Sequence, residues 1–470
     1  MKMWEGRFAA PLDSDFDRWQ RSFAFDWRLL PHELAASRAH AAALADAHVL
    51  TPEEAAAIAR GLDSIGQLWA GQQPEDDGAE DVHHFVERQL TALLGDLALK
   101  LHTGRSRNEQ IATDLRLYVR DSVTEIEELL AGWVSSLLDS AKSLGDAVMP
   151  AYTHLQRAEP VLAAHWLLAY VEMILRDAAR LRDVSTRANL CPLGSGAVAG
   201  ATLPLDRELL ARLLHFDGPT ANSMDATSDR DFVLELLHAL TTLWLHISRF
   251  AEEITLFATA EFGFITLPDS FATGSSAMPQ KKNPDLAELL RSKAGRIFGA
   301  STAVTLQIKG LPLAYNKDLQ ELQPSLFLAV DETRNALALL ARFTQALQFR
   351  TERMRLACET GFLNAMAAAT YLTHKGVPFR TAHSIIGRAV RLCLEKSESG
   401  PACELADLSL AELQELSPAF DGDFYSHITL AATLACHDVP GGTAVARVHA
   451  ALADAEERLL TLAGGSHACA

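Results

Sequence analysis

Residues 226–262 read ATSDRDFVLELLHALTTLWLHISRFAEEITLFATAEF, a run with neither glycine nor proline. At about 1.5 Å per residue, one α-helix over this segment spans roughly 50 Å. A second run, 108–143, is broken only by Gly132, and its apolar residues recur at Ile111, Leu115, Val119, Ile126, Leu130, Trp133 and Leu137. These are the steps of a helix face. Helices are also expected over 161–189 and 285–308, with another after Pro324. Alanine and leucine dominate, and alternating strand-like runs are nearly absent, so the fold class is all-α. Long helices with broad apolar faces need several neighbours to bury them. The expected architecture is a helix bundle extended by association with other subunits.

The clusters Gln72-Gln-Pro-Glu-Asp-Asp-Gly78 and Lys396-Ser-Glu-Ser-Gly-Pro401 read as loops. They suggest three helical domains: 1–106, a central long-helix bundle at 107–356, and a smaller unit at 357–470. A formal charge of -18 argues against nonspecific binding to nucleic acid or an anionic membrane. It leaves a small anionic substrate open, because a pocket answers to its local charges. The six cysteines (Cys191, Cys358, Cys393, Cys403, Cys436, Cys469) form no Cys-x-x-Cys pair, so reduced thiols and no metal site are expected. Met1-Lys-Met-Trp-Glu-Gly-Arg7 lacks the apolar core of a signal peptide, and no run reaches transmembrane length without charge. A cytoplasmic location is the expectation.

Polar clusters interrupt this apolar background. In Gly274-Ser-Ser-Ala-Met-Pro-Gln-Lys-Lys-Asn-Pro-Asp285, a glycine and two hydroxyls precede two lysines and an Asn-Pro pair. Asn283 is a favoured N-cap and Pro284 suits the first helical position. Free N–H groups at such a helix mouth, with Ser275, Ser276 and Lys281 beside them, form a cradle for a carboxylate. Lys100-Leu-His-Thr-Gly-Arg-Ser-Arg-Asn-Glu-Gln110 opens the first long helix, with Ser106 and Asn108 as candidate caps and Arg105 and Arg107 as paired donors. Met149-Pro-Ala-Tyr-Thr-His-Leu-Gln-Arg-Ala-Glu-Pro160 reads as a loop or short connector bracketed by prolines. It offers Thr153 and Gln156 for substrate oxygens and His154 for proton transfer. Glu288, in the first turn after the Ser275 loop, would orient and charge that imidazole if it reached it. Gly310-Leu-Pro-Leu-Ala-Tyr-Asn-Lys-Asp-Leu-Gln-Glu321 adds Tyr315, Asn316, Lys317 and Gln320.

Together these stretches resemble the argininosuccinate lyase family of the fumarase/aspartase superfamily, which includes the delta-crystallins. The likeness runs nearly end to end. It takes in Ser22-Phe-Ala-Phe-Asp26, Glu80-Asp-Val-His83, Asn222-Ser-Met-Asp-Ala-Thr-Ser-Asp-Arg-Asp231 and Lys375-Gly-Val-Pro-Phe-Arg380. The Gly-Ser-Ser loop is shared across the superfamily. Thr103-Gly-Arg-Ser-Arg-Asn108, Tyr152-Thr-His-Leu-Gln-Arg-Ala158 and Leu311-Pro-Leu-Ala-Tyr-Asn-Lys-Asp318 point to this family.

The resemblance implies reversible anti-elimination of arginine from argininosuccinate to leave fumarate, a step of arginine biosynthesis, without metal or organic cofactor. It implies a homotetramer with a twenty-helix core, each pocket drawing the three main clusters from three subunits. By the same resemblance Ser275 and His154 form the acid–base pair, in either order, and Glu288 backs His154. Lys281 and Asn283 stabilise the aci-carboxylate. Ser22, Arg107, Asn108, Thr153, Asn283, Tyr315 and Gln320 contact substrate. One position departs: Leu322-Gln323-Pro324 stands where the family pattern has Asp-Lys-Glu, so Gln323 supplies no charge. That leaves open a lyase for another N-substituted aspartate. Retention of Ser275, His154, Lys281 and Glu288 weighs against a non-catalytic, crystallin-like protein.

Overall fold

Five long helices carry the architecture of the computed structural model, which describes residues 10–75 and 78–465. They are Arg107–Leu144, Ala163–Ala188, Asp231–Phe257, Asp285–Ile308 and Leu322–Ala346. Each packs against the next, and the last returns to the first, closing a ring around one apolar core. Trp133 and Trp244 are wholly buried there. Each indole N–H is satisfied by a threonine of the Leu322–Ala346 helix, Thr344 Oγ1 at 3.1 Å and Thr333 Oγ1 at 2.9 Å. A buried indole donor without a partner would cost about 1–3 kcal/mol, so these bonds also fix how the helices mesh.

The expected helices are present, with two informative differences at their ends. The 226–262 run is not one helix: Ser223–Ser228 stops short, and Asp231–Phe257 begins afresh. Asp229 makes the break, its Oδ1 accepting the Asp231 N–H at 2.8 Å while its other oxygen pairs with the buried Arg116. As the C-cap of the first helix, holding the first N–H of the second, this aspartate divides the run without any glycine or proline. The Pro150–Pro160 segment, read as a loop or connector, is an antiparallel ribbon of Val148–Thr153 and Gln156–Leu162. Pro150 and Pro160 face each other in the register, so the donors missing from both strands fall at one level. Two shorter ribbons pair Ile265–Thr266 with Gln348–Phe349 and Thr273–Gly274 with Lys282–Asn283. Among the described residues strands are few and helices dominate; the fold is all-α in class.

On one side of the ring lie the helices Leu30–Asp46, Pro52–Leu68 and Val82–Leu94. After the ring, residues of 368–428 form a separate apolar core. The final helix, Val445–Gly465, returns to the Arg107–Leu144 and Ala163–Ala188 helices, helped by Lys142–Glu456 and Arg458–Glu172 ion pairs. Met1–Arg7 and Cys469, on which the leader and one cysteine reading bear, lie outside the described residues. Cys191, Cys358, Cys393, Cys403 and Cys436 are free thiols. No helix among the described residues is long and apolar enough to cross a membrane.

Candidate active site

Four of the expected substrate-binding residues meet within one chain. Ser22, Arg107, Tyr315 and Gln320 line a cavity of about 220 Å³, together with Gln323 and Asp26. Local chemistry puts each there. Ser106 caps the Arg107–Leu144 helix, accepting the Asn108 N–H at 3.2 Å while Glu109 Oε1 accepts the Ser106 N–H at 2.9 Å. This reciprocal box aims the first turn at the cavity. Arg107 NH1 donates to Asp81 Oδ1 at 2.7 Å. Gln320 Nε2 donates to the Gln20 carbonyl at 3.1 Å, drawing the 317–323 segment onto the 20–22 segment.

The cavity mixes charges. Asp17, Glu80 and Asp81 line it beside Arg21, Arg107 and Lys317. Burial raises the Asp81 carboxyl, but Arg107 and the neighbouring histidines overcome it and hold it below its usual value. Asp26 goes the other way: burial first, then the Asp81 charge, push it up to about 8. It keeps two bonds, Ser22 Oγ–Oδ2 at 2.6 Å and the Val82 N–H to Oδ1 at 3.0 Å. The folded chain therefore holds this proton long after the unfolded chain has lost it. Between about pH 4 and 8 rising pH favours the unfolded state through this group. Asp26→Asn, which is always neutral, is expected to gain melting temperature over the wild type as pH rises through that window and then level off. Thermal melts across pH 4–9 check this; a constant difference contradicts it.

Behind the cavity, sequence reading missed a buried network. Glu33 Oε2 lies 2.9 Å from His83 Nδ1, Ser37 Oγ donates to Glu33 Oε1 at 2.5 Å, and Arg105 NH2 is 3.8 Å from the same carboxylate. Burial opposes Glu33's charge, yet Arg105 and His83 hold its carboxyl down to about 2. Burial and the Glu33 charge raise the nearby Asp114 well above its usual range. Ligand atoms of Glu33, His83 and Asp114 lie within 4.8 Å of one another. With a guanidinium alongside and Glu33's oxygens already accepting hydrogen bonds, the arrangement suits a shared proton better than a cation. An acid at position 114, between the buried Ile111 and Leu115, was the signal available in the sequence.

The remaining expected residues lie elsewhere on the chain. Thr153 and His154 occupy the tip of the Val148–Leu162 ribbon, exposed to solvent. His154 and Leu155 both have positive φ, 55° and 57°, in a two-residue turn. That backbone normally selects glycine or asparagine and costs about 1–2 kcal/mol per ordinary residue. Leu155 is 67 % exposed. Asn108 Nδ2 donates to the Ala197 carbonyl at 3.3 Å.

The 274–285 loop is clamped at its base. Its ends pair as a ribbon, and Thr273 Oγ1 donates to Asp285 Oδ2 at 2.5 Å. Lys282 is spent on Asp269 and the Leu267 carbonyl, whereas Lys281 is exposed and has no ion-pair partner among the described residues. The helix starts one residue later than expected, with Pro284 at the cap and Asn283 in the ribbon, its Nδ2 3.4 Å from Thr273 Oγ1. Asn283 therefore does not cap the helix. Ser275 Oγ accepts two backbone N–H groups, Met278 at 3.1 Å and Ala277 at 3.3 Å. Glu288 is exposed, and within one chain no hydrogen bond or ion pair joins it to His154 among the described residues.

Comparison with known proteins gives the family. The family described as "Lyase" matches residues 6–299, and that described as "Argininosuccinate lyase C-terminal" matches 362–435. The argininosuccinate lyase of Acidobacterium capsulatum is 63 % identical over 97 % of this chain and 95 % of the relative. That of Koribacter versatilis is 54 % identical over the whole of both. A solved structure, EDDS lyase in complex with formate, superposes with a TM-score of 0.83 at 26 % identity, covering 98 % of this chain and 93 % of that one. With such identity across nearly its full length, the chain belongs to the argininosuccinate lyase family.

Proposed function

We propose that the chain cleaves argininosuccinate reversibly, by anti-elimination, into arginine and fumarate. The observation that carries this reading is the pair of backbone N–H groups directed at Ser275 Oγ. A neutral serine is a poor base, and donors already aimed at its oxygen stabilise the alkoxide that must remove the proton next to a carboxylate. Lys281 and Asn283 in the same loop then stabilise the aci-carboxylate dianion, and His154, backed by Glu288, protonates the departing nitrogen. The loop with its cations suits the dicarboxylate half of the substrate. The mixed-charge cavity at Ser22, Arg107, Tyr315 and Gln320 suits the zwitterionic end of the arginine half. Purified protein given argininosuccinate should produce the ultraviolet absorbance of fumarate. An assembled protein with no turnover rejects the reading.

The site requires several copies of the chain, and we propose a homotetramer. Five long helices per chain match a twenty-helix core. Leu289, Phe298 and Leu306 on the Asp285–Ile308 helix are 55 %, 62 % and 64 % exposed. Gly295 and Gly299 on that helix are exposed, and a Cβ added to either would meet open space. A mid-helix glycine costs about 0.5–1 kcal/mol; close approach of a helix from a second copy gives these two a reason. In the assembly the ribbon tip of one copy meets the Ser275 loop of another at the cavity of a third. The division near residues 107 and 356 belongs to the same reading, supported by the separate core of 368–428. The cytoplasm is its natural location.

The neutral Gln323 favours one alternative, a lyase for another N-substituted aspartate. A panel of such substrates separates the two: the first reading predicts argininosuccinate as the preferred one.

A further inference from the structure

Gln323 is 2 % exposed, lines the cavity, and among the described residues its Oε1 has no hydrogen-bond partner. A buried carbonyl oxygen in that condition is costly unless a ligand supplies a donor. Arg21 lines the same cavity. Its NH2 is anchored by Asp17 Oδ2 at 2.7 Å across one helical turn, which fixes the planar head while leaving it further donors. The bond from Gln320 to the Gln20 carbonyl draws together the two segments that carry Arg21 and Gln323. One segment brings a fixed cation, the other an acceptor without charge.

We infer that Arg21 and Gln323 are the residues that read the α-amino-acid end of the arginine half, Arg21 donating to its carboxylate and Gln323 Oε1 accepting from its ammonium. The inference rests on the arginine half occupying this cavity, as proposed above. It explains why a neutral side chain serves at position 323. The carboxylate finds its charge partner in Arg21 and needs none at position 323. Neither residue takes part in proton transfer.

Product inhibition of fumarate release tests this, with three probes: L-arginine, 5-guanidinovalerate, which lacks the ammonium, and agmatine, which lacks the carboxylate. Arg21→Ala is expected to raise the inhibition constants of L-arginine and 5-guanidinovalerate about tenfold and to leave agmatine unchanged. Gln323→Leu is expected to raise those of L-arginine and agmatine by about threefold to tenfold and to leave 5-guanidinovalerate unchanged. A merely structural role would move all three probes together, and that result overturns the inference. So does an active wild type that L-arginine does not inhibit, or variants whose constants do not change. Absence of wild-type turnover with argininosuccinate rejects the proposed function instead, so the two failures are distinguishable.

Discussion

Replacing Ser275 with alanine should lower turnover of argininosuccinate by about a thousandfold or more while leaving the assembly intact. The two halves of that expectation rest on different observations. Among the described residues Ser275 Oγ bonds only the N–H groups of Ala277 and Met278, in a loop held at its base by the Thr273–Asp285 contact and by Lys282. Removing the hydroxyl costs the fold no more than about 1 kcal/mol, because those donors are exposed and find water. The chemical loss is far larger, since no other hydroxyl is similarly activated in the loop. Steady-state kinetics beside light scattering and a thermal melt check both halves. Activity within tenfold of wild type would remove Ser275 from the proton transfer.

Mixing inactive proteins should restore activity. His154→Ala and Ser275→Ala each fail alone, but a site that draws these residues from different copies finds both intact in some mixed assemblies. Random exchange of equal amounts should regain about one quarter of wild-type activity, because each site needs two independent intact contributions. Denaturing and refolding the variants together, against each refolded alone, gives the comparison. If no activity returns although subunits have exchanged, both residues serve the site from the same chain. The proposal of a shared site is motivated by the exposure of His154 and Lys281 in a single chain.

Much of the fold was legible because helix periodicity is local. The repeat from Ile111 to Leu137 predicts the helix observed over Arg107–Leu144, and Pro324 falls in the first turn of its helix, where proline is tolerated. Breaks made by side-chain capping were harder to see. Asp229 ends one helix and holds the first N–H of the next, yet in sequence it is one acid among many. The Pro150–Pro160 ribbon was hidden because its prolines suggest loop and reveal a strand pair only when set opposite each other. Ser22, Arg107, Tyr315 and Gln320, singled out by motif, do line one cavity. Arg21 carried no signal beyond an Asp17–Arg21 spacing that is ordinary for a surface helix. The Glu33–His83–Asp114 network joins three distant segments, and no spacing rule reaches across them. The proposal that His154, Ser275 and Glu288 meet rests on family likeness, because among the described residues of one chain no hydrogen bond or ion pair joins His154 to Glu288.

The most direct test is an experimental structure of the assembled Ser275→Ala protein with argininosuccinate bound. The arginine half is expected in the cavity of Ser22, Arg107, Tyr315 and Gln320 of one subunit. His154 of a second subunit would lie beside the scissile nitrogen, and the 274–285 loop of a third would close over the dicarboxylate half. Substrate bound away from this cavity, or residue 275 and His154 remote from the reacting carbon and nitrogen once the loop is closed, would contradict it.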